Sequence, residues 1–115
     1  MKKILVVDDN EAILDTISQI LTLHGFDVHT HSIGLDVAEV VSYYQPDLII
    51  LDILLQGYSG IEICVELKKV YSVPIILFSA SANQYRASAK CKADGYIQKP
   101  FEMKELVNTV RSHLN

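Results

Sequence analysis

Five residues with the chemistry to handle phosphate stand directly behind short apolar runs. Asp8 and Asp9 follow Ile4–Val7, Asp52 follows Leu48–Leu51, Ser79 follows Ile75–Phe78, and Lys99 follows Tyr96–Gln98. If those runs are neighbouring strands of one parallel sheet, all five residues gather at its carboxyl edge, where open α/β sheets bind their ligands. Unit charges about 4 Å apart repel by roughly 4 kcal/mol at an effective dielectric near 20. Three carboxylates so placed need a cation or take up protons. Lys99 offsets one charge. A hard divalent ion such as Mg²⁺ suits the remainder, because it prefers carboxylate, carbonyl and water oxygens and keeps positions open for phosphate. Neither GxGxxG nor GxxxxGK[ST] occurs, so phosphate would be held by metal, lysine and hydroxyl rather than by a glycine-rich cradle.

Taken singly, each residue has a plainer reading. Asp8 or Asp9 would serve as a cap of the helix that follows, Asp52 and Ser79 as caps of later helices, and Lys99 as a solvated surface lysine. Four separate strand ends that supply one compatible set argue for a shared site.

The elements that must position these residues follow from the hydrophobic pattern. Ile4–Val7, Leu48–Leu51 and Ile75–Phe78 are continuous apolar runs, as in strands buried on both faces. Weaker strands are expected at Asp27–His31 and Tyr96–Gln98. Ile13, Leu14, Ile17, Ile20 and Leu21 form the stripe of a core-facing helix over Glu11–His24, with Gly25 placed to end it. Val37, Val40, Val41 and Tyr44 mark a second helix, Ile61, Cys64, Val65 and Leu67 a third, and Met103, Leu106, Val107, Val110 and Leu114 the last. A further helix is expected over Asn83–Lys92, where Tyr85 is the one large apolar residue and packing is therefore weak. Five strands alternating with five helices predict a doubly wound α/β fold with right-handed crossovers.

With 115 residues, 50 % hydrophobic and 21 % charged, residues 1–115 read as one globular domain. No apolar run approaches the roughly 18–20 residues that span a bilayer. Cys64 and Cys91 have neither CxxC nor disulfide-framework spacing, which suits reduced thiols in a cytoplasmic protein. A net charge of −4 argues against direct nucleic-acid binding. His29 and His31 share a strand face without a third ligand, and His24 and His113 need no role beyond their helix ends.

The segments Ile4-Leu5-Val6-Val7-Asp8-Asp9, Pro46-Asp47-Leu48-Ile49-Ile50-Leu51-Asp52, Pro74-Ile75-Ile76-Leu77-Phe78-Ser79-Ala80 and Gly95-Tyr96-Ile97-Gln98-Lys99-Pro100-Phe101 resemble the signatures of bacterial two-component response-regulator receiver domains, over essentially the whole chain. The resemblance implies a flavodoxin-like (βα)5 domain whose parallel sheet has the order 2-1-3-4-5. It implies phosphorylation of Asp52 from a phosphohistidine of a sensor kinase or histidine phosphotransferase. Mg²⁺, or Mn²⁺ in its place, would be bound by Asp8, Asp9, Asp52 and the backbone carbonyl of Leu54. Ser79 and Lys99 would hold phosphoryl oxygens, Tyr96 would be the switch aromatic, and the Lys99–Pro100 bond would be cis. The face made by the fourth helix, fifth strand and last helix would then reach an output domain, a downstream protein or a second copy.

Such a domain is no enzyme in the ordinary sense, although it takes part in transfer to its own aspartate and in self-dephosphorylation. Gln56 departs from the family's frequent proline and Ser59 from its frequent acid. Leu54 and Ser81, at positions that influence phosphoryl lifetime, are neither acid nor amide. Two rivals fit less well. A haloacid-dehalogenase-type phosphatase wants Asp-x-Asp after its first strand, and a flavin-binding module wants a Ser/Thr/Gly-rich phosphate loop. The alternative left open is a receiver-like scaffold that binds partners without phosphorylation.

Overall fold

The computed structural model describes residues 1–80 and 88–114. Strands β1 (Lys3–Val7), β2 (Asp27–His31), β3 (Leu48–Asp52), β6 (Ile75–Ser79) and β7 (Gly95–Gln98) form one sheet in the order β2-β1-β3-β6-β7. Every pairing within it is parallel. A small antiparallel hairpin, β4 (Leu54–Leu55) with β5 (Tyr58–Ser59), adds two strands that the hydrophobic pattern did not predict. Among the described residues, four α-helices cover the sheet: α1 (Glu11–Leu23), α2 (Val37–Tyr44), α3 (Gly60–Val70) and α4 (Met103–Ser112). The helix expected over Asn83–Lys92 lies partly outside the described residues, as do Tyr85 and Ser81, and its described end is a 3-10 turn over Ser88–Cys91.

Successive side chains of a strand point to opposite faces, and both faces of this sheet are buried. Ile4, Val6, Leu48, Ile50, Ile76 and Phe78 pack against Leu14, Ile17 and Leu21 of α1 and Leu106, Val107 and Val110 of α4. Leu5, Val7, Ile49, Leu51, Ile75 and Leu77 pack against Val37 and Val41 of α2, Cys64 and Leu67 of α3, and Cys91. Each such side chain contributes about 1.5–3 kcal/mol on leaving water. A one-residue slip of any strand would exchange the two faces, so the register is held strongly. Met103, expected on the buried stripe of the last helix, is instead exposed at its first position.

The helix ends leave the strand-end acids unspent. Asn10, rather than Asp8 or Asp9, caps α1, its side chain accepting the Ala12 and Ile13 amides at 2.9 and 3.2 Å. His24 is the C-cap of α1, and Gly25 follows at φ +91°, a conformation open to glycine at little cost. Ser59, rather than Asp52, caps α3 through a 3.3 Å hydrogen bond from the Glu62 amide.

Gly60 opens α3 against the end of β3, donating its N–H to the Ile53 carbonyl at 2.8 Å. A Cβ there would overlap the Asp52 carbonyl oxygen and sit 2.8 Å from the Ile53 Cα. Both obstacles are backbone, so relief requires moving the end of β3. Gly60→Ala is therefore expected to cost about 2–4 kcal/mol. Urea unfolding of the purified variant checks this, and a loss within experimental error of zero would contradict it.

Candidate functional site

Register places the site. Val7 pairs with Leu51, Asp52 with Phe78 and Ser79 with Gln98, so the residues at these strand ends emerge side by side. Backbone bonds carry the alignment one step further: the Asp8 amide donates to the His31 carbonyl at 3.2 Å, Ile53 to Phe78 at 3.1 Å and Lys99 to Ser79 at 2.8 Å. The Lys99–Pro100 peptide is cis.

Asp8, Asp9 and Asp52 each offer a carboxylate oxygen within 4.8 Å of the others. Asp8 and Asp52 are buried, and Asp9 is exposed. The Lys99 ammonium lies between the two buried acids, 3.0 Å from Asp8 Oδ2 and 3.2 Å from Asp52 Oδ2. It also sits 4.5 Å from the centre of the Phe78 ring, whose negative face favours a cation. The opposite oxygens are held by backbone: Asp8 Oδ1 accepts the Asn10 amide at 2.8 Å, and Asp52 Oδ1 accepts the Leu54 amide at 3.2 Å. Asp9 Oδ2 accepts the Gln56 amide at 2.8 Å. A proline at 56 would have no N–H to give, so the departure at Gln56 supplies Asp9 with a fixed partner. The sequence reading missed that role because it depends on the β4–β5 hairpin folding back over the site.

One ammonium against three carboxylates leaves two negative charges in a small space. Burial, and then the Asp8 charge, push the Asp52 carboxyl up to about 6, against the opposing pull of Lys99 and the Leu54 amide. Hard oxygen donors with excess negative charge fit a divalent cation of the Mg²⁺ type. Asp8, Asp9 and Asp52 would hold it.

Ser79 is buried at the end of β6, adjacent to the acids by register. Burial raises the Tyr96 hydroxyl above its ordinary range, and the Ser79 side chain partly offsets that. Tyr96 is half-buried and packs against the α2–α3 side of the core, although β7 is a sheet edge. Of the histidines, His29 stacks with Tyr44 at 5.1 Å and His31 Nε2 lies 2.8 Å from the Leu35 carbonyl oxygen.

A doubly wound five-stranded parallel sheet with an acid-and-lysine cluster at its carboxyl edge places the protein among the flavodoxin-like α/β folds. The sequence profile of the response regulator receiver domain matches residues 4–111, and the chain belongs to that family. It is similar to the BeF3-activated N-terminal receiver domain of Klebsiella pneumoniae RstA, with 31 % identity over 99 % of each chain and a TM-score of 0.94. It is also similar to the Vibrio cholerae chemotaxis protein CheY4, with 25 % identity over 99 % of each chain and a TM-score of 0.90. Against Brucella abortus NtrX, 97 % of this chain matches 26 % of that one, at 30 % identity and a TM-score of 0.88. The protein is thus a receiver domain of two-component signalling, a class that works with kinases and output domains rather than as an ordinary enzyme. Among the described residues no helix is long and apolar enough to cross a membrane.

The raised Asp52 carboxyl sets a pH dependence for the metal-free protein. Its folded pKa of about 6 lies above the ordinary 3.8, so the folded state binds the extra proton between those values. Stability therefore falls as pH rises from about 4 to about 6 and levels off above that. Asp52→Asn removes the charge and is expected to stabilise the protein at pH 7.5 by about 1–2 kcal/mol. Urea unfolding in EDTA across that pH range checks it. A variant less stable than wild type at pH 7.5 would refute the assignment.

Proposed function

We propose that residues 1–115 form one phospho-acceptor domain and that Asp52 takes a phosphoryl group from a phosphohistidine of a sensor kinase or histidine phosphotransferase. The observation that carries this reading is the pairing of a buried Asp52 carboxylate with the Lys99 ammonium at 3.2 Å inside the three-acid cluster. Asp8, Asp9, Asp52 and the Leu54 carbonyl would hold Mg²⁺, or Mn²⁺ in its place. Bound there, the ion would offset charge on the oxygens of the transferring group, where most phosphoryl-transfer catalysis lies.

The chain's own residues do the rest. With Lys99 neutralising its neighbourhood, Asp52 stays ionised and attacks phosphorus in line. Lys99 then follows one phosphoryl oxygen and the Ser79 hydroxyl bonds another. Turning Ser79 toward the phosphoryl group draws it away from Tyr96, which loosens Tyr96 at the edge of the sheet. The face formed by the segment after β6, strand β7 and helix α4 changes shape and meets a downstream protein, an output domain or a second copy. Self-dephosphorylation would follow by water attack. These steps suit a cytoplasmic protein that uses no direct contact with nucleic acid.

Incubation with acetyl phosphate and Mg²⁺ is expected to add one phosphoryl group to wild type and none to Asp52→Asn, read by intact mass. EDTA abolishes the gain, and Lys99→Ala slows it at least about a hundredfold. A folded wild type that gains nothing would instead support a scaffold that acts without phosphorylation.

A further inference from the structure

Charge is segregated on the two flanks of α3. On one flank a cleft of about 370 Å³ opens between α2 and α3, and buried Val37 and Leu67 are part of its apolar floor. Asp36, Glu39, Glu62 and Glu66 line the same cleft and are exposed. On the other flank a cleft of about 250 Å³ lies between α3 and the 3-10 turn over Ser88–Cys91. Lys68, Lys69, Lys90 and Lys92 line it. Four of the ten Lys and Arg side chains thus gather at one place on a chain of net charge −4. Part of this charge is spent within the molecule, since Lys68 pairs with Asp94 and Lys69 with Glu66. Among the described residues, Asp36, Glu39 and Glu62 on one flank and Lys90 and Lys92 on the other form no ion pair.

We propose that copies of this chain associate head to tail, with Lys90 and Lys92 of one copy lying in the α2–α3 cleft of the next. Unpaired carboxylates around an apolar floor repel one another and gain from cations brought by a partner. The chain itself carries that partner chemistry. A lysine suits such a cleft because its four-carbon stem packs on apolar surface while its ammonium stays at the polar rim. Val37 and Leu67 offer the surface for the stems, and Asp36, Glu39 and Glu62 offer the carboxylates. The two surfaces differ and lie on opposite flanks of one helix, so a joined pair still presents a cleft at one end and lysines at the other. Association of that kind closes into a ring or continues as an open chain, rather than stopping at a symmetric pair. The α2–α3 cleft shares no residue with the three-acid site, with β7 or with α4, so this contact is distinct from any made through the β7–α4 face.

Sedimentation equilibrium of the wild-type chain tests this. At loadings up to about 1 mM in about 25 mM NaCl, the average mass is expected to rise with concentration, and to return to that of the monomer in about 500 mM NaCl. Glu39→Lys/Glu62→Lys and Lys90→Glu/Lys92→Glu, all at exposed positions, each weaken the association at least about tenfold. Mixed one to one, the two variants associate again, because every reversed surface then meets an opposite one. Lys104→Glu/Glu105→Lys, exposed on α4, leaves the association within about twofold of wild type. A wild type that stays monomeric at the highest loading, or associates equally at both salt concentrations, would overturn the proposal. So would a mixture that does not recover, or a loss of association caused by the α4 variant.

Discussion

The site depends on one cation shared between two buried carboxylates. Lys99 reaches both Asp8 and Asp52, and Asp9 stands beside them without an ammonium of its own among the described residues. Removing Lys99 would leave two buried carboxylates uncompensated, at a cost of about 3–5 kcal/mol. The arrangement is therefore electrostatically incomplete by itself, and it gains from whatever adds positive charge. A divalent ion supplies that charge, and a phosphoryl group arriving with the ion can be tolerated where a bare anion could not.

The surrounding structure keeps those charges available. Asn10 and Ser59 satisfy the helix N-termini that would otherwise draw on Asp8 and Asp52. Backbone amides of Asn10, Leu54 and Gln56 each donate to one carboxylate oxygen and orient the acid, and the other oxygens of Asp8 and Asp52 face Lys99. Gly60 lets the first turn of α3 lie directly against the end of β3, so that Asp52 stays buried rather than lifting toward solvent. Ser79 stands between this cluster and the strand of Tyr96, which lies on the opposite side of β6 from the acids and at the sheet edge. A charge change at Asp52 and a packing change at β7 are thus separated by two side chains.

The continuous apolar runs of β1, β3 and β6 were legible because strands buried on both faces leave no polar alternation to misread. They in turn announced a parallel sheet, and with it the carboxyl edge at which Asp8, Asp9, Asp52, Ser79 and Lys99 meet. The stripes of α1, α2, α3 and α4 were equally plain, since each helix buries only the side facing the sheet. The β4–β5 hairpin was not legible: two-residue strands carry no periodicity, and their pairing is decided by how the chain after Asp52 turns back. The exposure of Met103 was likewise decided by where α4 meets the sheet.

The sequence by itself determined which residues stand at the strand ends, because hydrophobic burial dictates where strands run and which polar residues interrupt them. It also determined the excess of negative charge there. Only the tertiary structure decided how that charge is distributed. Lys99 divides itself between Asp8 and Asp52, the Gln56 amide is brought to Asp9 by a hairpin, and Tyr96 packs against the α2–α3 side of the core. Those are contacts between residues far apart in the chain, set by register and packing to within ångströms, and no local pattern encodes a distance.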